Sequence, residues 1–198
     1  MQTNQEGQHP LAVETLVGEL VSLGPLRRDL LPLYHRWSND LDVSKTGGIG
    51  WPTTFEQDSA LFDMRVRSNE ITYFTIYERS SRRPIGWTGL FEIEQRHSRA
   101  SFAILIGEAD ARGKGYGTEA TRLALEFAHL GLGLSNVLLT CYEFNVAGIH
   151  AYQKAGFREF GRRHQSSRWG NRLWDLVYME SVGSDYQPLG LLAFDQPF

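Results

Sequence analysis

The apolar positions along this chain change period several times, and each change marks an element. Leu16–Leu23 alternates well enough for a β-strand. Arg28–Asn39 shifts to helical spacing, with Leu30, Leu33, Tyr34 and Trp37 on one face. Asp29 is its expected N-cap, and Pro32 falls in the first turn, where a missing N–H costs little. Asp40–Pro52 is glycine-rich and reads as an irregular loop ending near Trp51. A second helix is expected over Thr54–Arg67, opened by Thr54 and Gln57 at capping-box spacing. Three apolar, β-branched or aromatic runs follow, Ile71–Tyr77, Ile85–Glu94 and Ala100–Gly107, split by turn-like polar segments. They predict an antiparallel meander.

After Gly107 the pattern changes to strand, loop, helix, strand. Thr118–Leu130 carries Ala120, Leu123, Ala124, Phe127 and Leu130 at helical intervals. Asn136–Tyr142 reads as a strand and Val146–Ala155 as a short helix stopped by Gly156. Phe157–Arg163 and Leu173–Glu180 read as a closing hairpin. The expected class is α+β: one domain over residues 14–180 with a mixed, mostly antiparallel sheet and flanking helices. A polar tail (1–13) precedes it and a Gly/Pro-containing extension (181–198) follows.

Composition narrows the function classes. The 198 residues are 41% hydrophobic, enough for one sizeable core. A net charge of −3 gives no reason to expect nucleic acid, which leaves a basic patch on its partners. No apolar run approaches the roughly 20 residues of a membrane helix, and the N-terminus lacks a signal-peptide layout. The single cysteine, Cys141, sits in an apolar run and suits a reducing compartment, so a cytoplasmic protein is expected. The histidines show no ligand spacing, and no metal is expected.

Arg112-Gly113-Lys114-Gly115-Tyr116-Gly117 lies between a strand and a helix N-terminus. Glycines there allow close backbone approach and positive φ, and free N–H groups with the helix dipole favour an anion. A P-loop requires GxxxxGK followed by Ser or Thr. Here Gly107 is too far upstream, and Gly115 occupies the hydroxyl position. A dinucleotide fingerprint requires GxGxxG early in a βαβ unit, whereas this turn reads GxGxG after a meander.

Arg112-x-x-Gly115-x-Gly117 resembles the pyrophosphate loop of the GNAT acetyltransferase superfamily. Further on, Asn145, Tyr152, Lys154, Gly156 and Phe157 stand in the pattern of that family's N-x-x-[AS]-x-x-x-Y-x-K-x-G-F segment, with Gly148 at its small-residue position. The phrase GYGTEA and the ending Arg163, Gly170, Asp175, Tyr178 are similar to the branch holding ribosomal-protein alanine and spermidine acetyltransferases. The resemblance implies an acetyl-CoA-dependent N-acetyltransferase in which Ala100–Gly107 splays from Asn136–Tyr142. By the same resemblance, Leu105 and Ile106 would bind the pantetheine arm and Arg112, Gly113, Lys114, Gly115, Tyr116, Gly117 and Thr118 the pyrophosphate. Asn145 would hold the arm, and Lys154 would face the phosphates.

Direct attack of an amine on a thioester sets three demands. The amine, with an unperturbed pKa of about 10.4, must lose its proton to a base. Charge on the thioester oxygen needs a donor, and the departing sulfur needs a proton. Tyr152 is the expected acid. Glu92 is the first choice of base among Glu92, Glu94, Glu108 and Glu143, with Ser101 able to position a water. Trp51 is expected to touch the acceptor. That acceptor is read as a small-molecule amine, with a protein N-terminus as the alternative and a non-catalytic CoA-binding module as a third reading. The resemblance also implies a homodimer.

Overall fold

The computed structural model describes residues 13–47 and 52–192. Trp51 and most of the N-terminal tail lie outside the described residues. Where one strand was expected over Leu16–Leu23, the chain forms a tight hairpin of β1 (Leu16–Val17) and β2 (Val21–Pro25). The reason is a carboxylate: the amides of Glu19, Leu20 and Val21 donate to Glu119 at 2.9, 2.7 and 2.7 Å. A turn, not an extended strand, brings three consecutive N–H groups to one anion.

A single 3-10 turn, Arg28–Leu30, leads into α1 (Leu31–Ser38), with Pro32 in its first turn as expected. Asp29 does not cap the helix, because its carboxylate pairs with Arg27 at 2.5 Å. The loop expected over Asp40–Pro52 contains α2 (Leu41–Gly47). Asp40 nucleates it, its Oδ1 accepting the N–H groups of Asp42 at 2.8 Å and Val43 at 3.3 Å. The helix α3 (Phe55–Arg67) starts with both halves of the Thr54–Gln57 capping box in place.

The meander is β3 (Thr72–Glu78), β4 (Pro84–Glu94) and β5 (Arg99–Ile106). Then come α4 (Tyr116–Glu126), widened into a π-helical turn over Phe127–Gly131, and β6 (Asn136–Tyr142). The short helix α5 (Val146–Ala155) ends at Gly156, whose φ of 115° is the left-handed stop the sequence predicts. The closing hairpin is longer than expected, β7 (Arg158–Trp169) with β8 (Arg172–Val182). Among the described residues no helix is long and apolar enough to cross a membrane.

Among the described residues eight strands order as β1-β2-β3-β4-β5-β6-β8-β7, antiparallel except for the parallel β5–β6 pair. Alternation along the strands divides two cores. Ile76 and Phe102 join the larger one with Leu123, Leu125 and Phe157 under α4 and α5. Their neighbours Tyr77 and Leu105 join Trp37, Val43 and Phe62 under α1, α2 and α3.

The segment after β8 is tied down by a buried charge. Glu126 is fully buried and accepts from the Tyr186 hydroxyl at 2.8 Å and from the amides of Leu189, Leu191 and Leu192 at 2.8, 3.0 and 3.4 Å. Burial alone would raise its pKa. The Leu189 amide, the Tyr186 hydroxyl and the two further amides outweigh that and hold it below the ordinary value. Glu126→Ala leaves these donors unmatched and is expected to cost on the order of 3 kcal/mol in a urea melt. Because the folded-state pKa is lowered, the native carboxylate's contribution is present above the ordinary carboxylate range and is lost as pH falls through the folded value. The stability difference between native and variant proteins should therefore shrink in acid.

Candidate active site

The central fact of the sheet is that β5 and β6 pair only through Arg99–Asn136, Ala100–Val137 and Ser101–Leu138. Beyond Ser101 the strands part, and a cleft of about 460 Å³ occupies the gap. On one side it is lined by the glycine turn and by α5, which contributes Tyr152 and His150. On the other side lie Asp42, Val43, Thr46 and Gly47 of α2, with Ile104–Ile106 of β5 between. Since α2 packs on the Leu105 face and α5 under the opposite one, the gap joins the two faces of the sheet.

Three groups of donors and acceptors meet there. The edge of β5 beyond Ser101 has no strand partner on the β6 side, which suits an extended, amide-bearing ligand. The glycine turn supplies the second group: Gly113 and Gly115 hold φ of 75° and 85°, a region costly for any other residue. Gly115 caps α4 without any side-chain acceptor, so the first-turn N–H groups face outward for an anion. Arg112 braces the turn, donating to the carbonyls of Ile106 at 3.2 Å and Gly107 at 3.3 Å. Third, Asn145 heads α5, its Oδ1 accepting the N–H of Gly148 at 3.0 Å. A side chain at Gly148 would push the Asn145 amide out of this capping position.

Most of the cofactor-binding residues expected from sequence line this cleft: Leu105, Ile106, Arg112, Gly113, Gly115, Gly117, Thr118, Asn145 and Lys154. Two side chains do not. Tyr116 turns back to donate to Glu78 at 2.7 Å, and the Lys114 ammonium lies 6.0 Å from the Tyr116 ring. Both belong to the turn through their backbone alone.

Tyr152 stands between Phe102 and Phe157, at ring separations of 6.4 and 6.2 Å. Burial, and secondarily the neighbouring Cys141, push its hydroxyl well above the ordinary phenol range, so it keeps its proton throughout the neutral range. Burial likewise pushes the Cys141 thiol up to about 11, against a smaller opposing effect of Asn145, which suits packing and not nucleophilic attack.

The carboxylates sort clearly. Glu108 is occupied by the Trp37 indole N–H at 2.8 Å and by Arg36. Glu143 accepts the Asp175 N–H at 3.0 Å, and Glu94 is paired with Arg99 at 2.7 Å. Glu92 is not a cleft-lining residue. It sits on a β4 bulge with φ of 52°, and its carboxylate receives the Ser101 hydroxyl at 2.9 Å. Ser101 is the residue at which β5 and β6 part, so the pair stands at the closed end of the gap. Trp51 lies outside the described residues. Sequence reasoning missed Asp42 and Thr46, because the glycines of 47–50 obscured α2. The signal was Asp40, placed to cap a helix. His150 was also missed.

A family model described as an acetyltransferase (GNAT) domain matches residues 21–158. The chain belongs to this family of acetyl-CoA-dependent N-acetyltransferases. Spermidine N(1)-acetyltransferase of Escherichia coli K12 is 30% identical over 137 residues, covering 69% of this chain and 72% of that protein. Alpha/beta-tubulin-N-acetyltransferase 9 of Drosophila melanogaster is 26% identical over 159 residues, covering 74% and 80%. The crystal structure of spermidine N-acetyltransferase from Vibrio cholerae in complex with CoA and spermine shares the fold, with a TM-score of 0.78 at 24% identity over 84% of this chain and 97% of that one.

The site fits acetyl-CoA: an unpaired strand edge for the amide-bearing arm and free helix amides for its diphosphate. Calorimetric titration should show micromolar binding, on the order of −8 kcal/mol. Gly115→Glu, which puts a carboxylate on the anion site and a side chain at φ of 85°, should abolish it.

Proposed function

We propose that this enzyme acetylates a primary amine of a small polyamine, spermidine being the first acceptor to test, by direct attack of that amine. The observation that carries the reading is the gap between β5 and β6, which opens on both faces of the sheet. A donor held on the α5 side and an acceptor entering past α2 meet at it without crossing. Asp42 is the sole carboxylate lining the cleft among the described residues, and it favours a cationic acceptor on the α2 side. The identity with spermidine N(1)-acetyltransferase supports the same substrate class.

In this reading the edge of β5 at Leu105 and Ile106 and the head of α5 at Asn145 hold the pantetheine arm. The amides from Arg112 to Thr118 take the diphosphate, and Lys154 adds positive charge beside them. Acetyl-CoA supplies an activated acyl group. The chain's own residues manage protons: the amine proton passes by way of Ser101 or a water to Glu92, and Tyr152 offers its proton to the sulfur as charge builds there. The left-handed backbone at Glu92 is a strain that the fold retains at the point where its carboxylate reaches Ser101.

A second reading, acetylation of a protein N-terminus, draws on the resemblance to the ribosomal-protein branch, and a relative named for a protein acceptor, tubulin, supports a protein substrate. A panel of polyamines beside a ribosomal-protein N-terminal peptide separates the two, and strong turnover of the peptide alone would end the first. We also propose that two copies associate through the exposed edge strand β7, and that the enzyme works in the cytoplasm, where the buried Cys141 thiol stays reduced. Light scattering at the monomer mass would remove the dimer.

Tyr152→Phe should lower kcat for spermidine roughly 100-fold, with acetyl-CoA affinity unchanged. Glu92→Gln should depress kcat/KM most at neutral pH and least near pH 10, where the amine has already lost its proton. A uniform loss across the pH range would remove Glu92 from the proton path.

A further inference from the structure

The cleft's α2 wall hangs between two points, Asn39 at the end of α1 and Thr53 before α3, and these points are joined. The Asn39 side-chain amide imitates a strand partner for Thr53. Its Oδ1 accepts the Thr53 N–H at 2.9 Å, and its Nδ2 donates to the Thr53 carbonyl at 3.2 Å. Beneath this bridge lies Asp58, a buried carboxylate that receives the Thr53 hydroxyl at 2.8 Å and faces His35 Nδ1 at 2.6 Å. The Asn39 Nδ2 group also donates to the His35 carbonyl at 3.0 Å.

Helix capping does not account for Asp58. The N-terminus of α3 is already satisfied by Thr54 and Gln57, and Asp58 lies inside the helix, its own N–H given to the Thr54 carbonyl. A carboxylate buried there costs several kcal/mol unless its partners are fixed. All of those partners belong to α1 or to the approach to α3. The charge therefore draws the two ends of the intervening segment together. Beyond the neck, the amide of Ser44 in α2 donates to the Asp40 carbonyl at 2.8 Å, Val43 and Ser44 are buried, and Gly47 lies against the Leu105 side chain.

We infer that Asp58, with His35, Asn39 and Thr53, is a positioning group for the amine acceptor. By closing the neck of the segment that carries α2, it sets where Asp42 and Thr46 stand in the cleft. This rests on the amine reading above. It also predicts a division: the neck governs acceptor affinity and leaves the glycine turn, the β5 edge and Tyr152 untouched.

Thr53→Val keeps the side chain's shape and removes its hydroxyl, while Thr53→Ser keeps the hydroxyl. With spermidine as acceptor, Thr53→Val and Asp58→Asn should raise its KM about tenfold, the scale expected of misplaced binding groups. kcat and the KM for acetyl-CoA should change less than about twofold, and Thr53→Ser should behave as native. Glu126→Ala, destabilised at a distant site, controls for stability and should leave the spermidine KM alone. Trypsin cleavage after the exposed Lys45 reads the neck without any substrate and should quicken in Thr53→Val and Asp58→Asn only. An unchanged spermidine KM in both variants, or unchanged cleavage, overturns the inference. If native protein turns over no polyamine, the acceptor assignment fails, and the cleavage rates still decide whether the neck holds α2.

Discussion

Two parallel strands that pair for three residues and then separate set the terms for everything else in this molecule. A parallel pair normally continues until a turn ends it, because every unpaired N–H and C=O along the edge costs free energy when buried. Here β5 leaves β6 after Ser101 and continues to Ile106 with one edge bare. The fold tolerates this because the neighbouring elements hold β5 from its other side and from its end. β4 pairs with it along its length. Trp37 of α1 presses so closely on Gly107 that a Cβ there would fall 2.4 Å from the ring. Arg112 takes the last carbonyls. What remains is a rigid strand with exposed backbone groups, and those groups are the ones an acyl-carrying cofactor with amides in its arm can satisfy.

The same economy governs the glycine turn. Helix-end amides and two glycines in the left-handed region face the cleft, whereas Lys114 and Tyr116 do not line it. Tyr116 instead anchors the start of α4 to Glu78 at the end of β3, and Glu119 one helical step on gathers the β1–β2 turn. One helix thus presents its dipole to the cleft while its first turn fastens the far edge of the sheet.

Much of this was legible in the sequence, and for identifiable reasons. Thr54–Gln57, Gly156 and the Asn136–Tyr142 run are local signals whose geometry needs no tertiary partner, and each falls where the pattern placed it. The misplaced elements lack a self-contained local signal. The strand over Leu16–Leu23 breaks into a hairpin because Glu119, about a hundred residues away, collects its amides. Asp29 gives up its capping role to Arg27, and the helix over 118–130 widens to a π turn at Phe127. Within the site, the residues that face the cleft through their backbone were readable from the motif. Asp42, Thr46 and His150 were not, because nothing in their spacing marks a face until α2 and α5 are packed. The β4 bulge that brings Glu92 to Ser101 is likewise a property of the register between strands, which one strand's sequence does not carry.

The two halves of the cleft are consequently built from different material. On the α5 side the groups available to a ligand are largely backbone, strand edge, turn amides and helix terminus, joined by the side chains of Arg112, Asn145, Tyr152 and Lys154. On the α2 side the determinants are side chains borne on a segment held by a buried carboxylate and an asparagine bridge. That wall can be rebuilt by changing α2, the neck, or both, while the donor half keeps its geometry. A fold so divided fixes the acyl carrier and leaves the acceptor adjustable, which is why the residues that name the cofactor stand in compact motifs. Those proposed to choose the amine are scattered between α1 and α3.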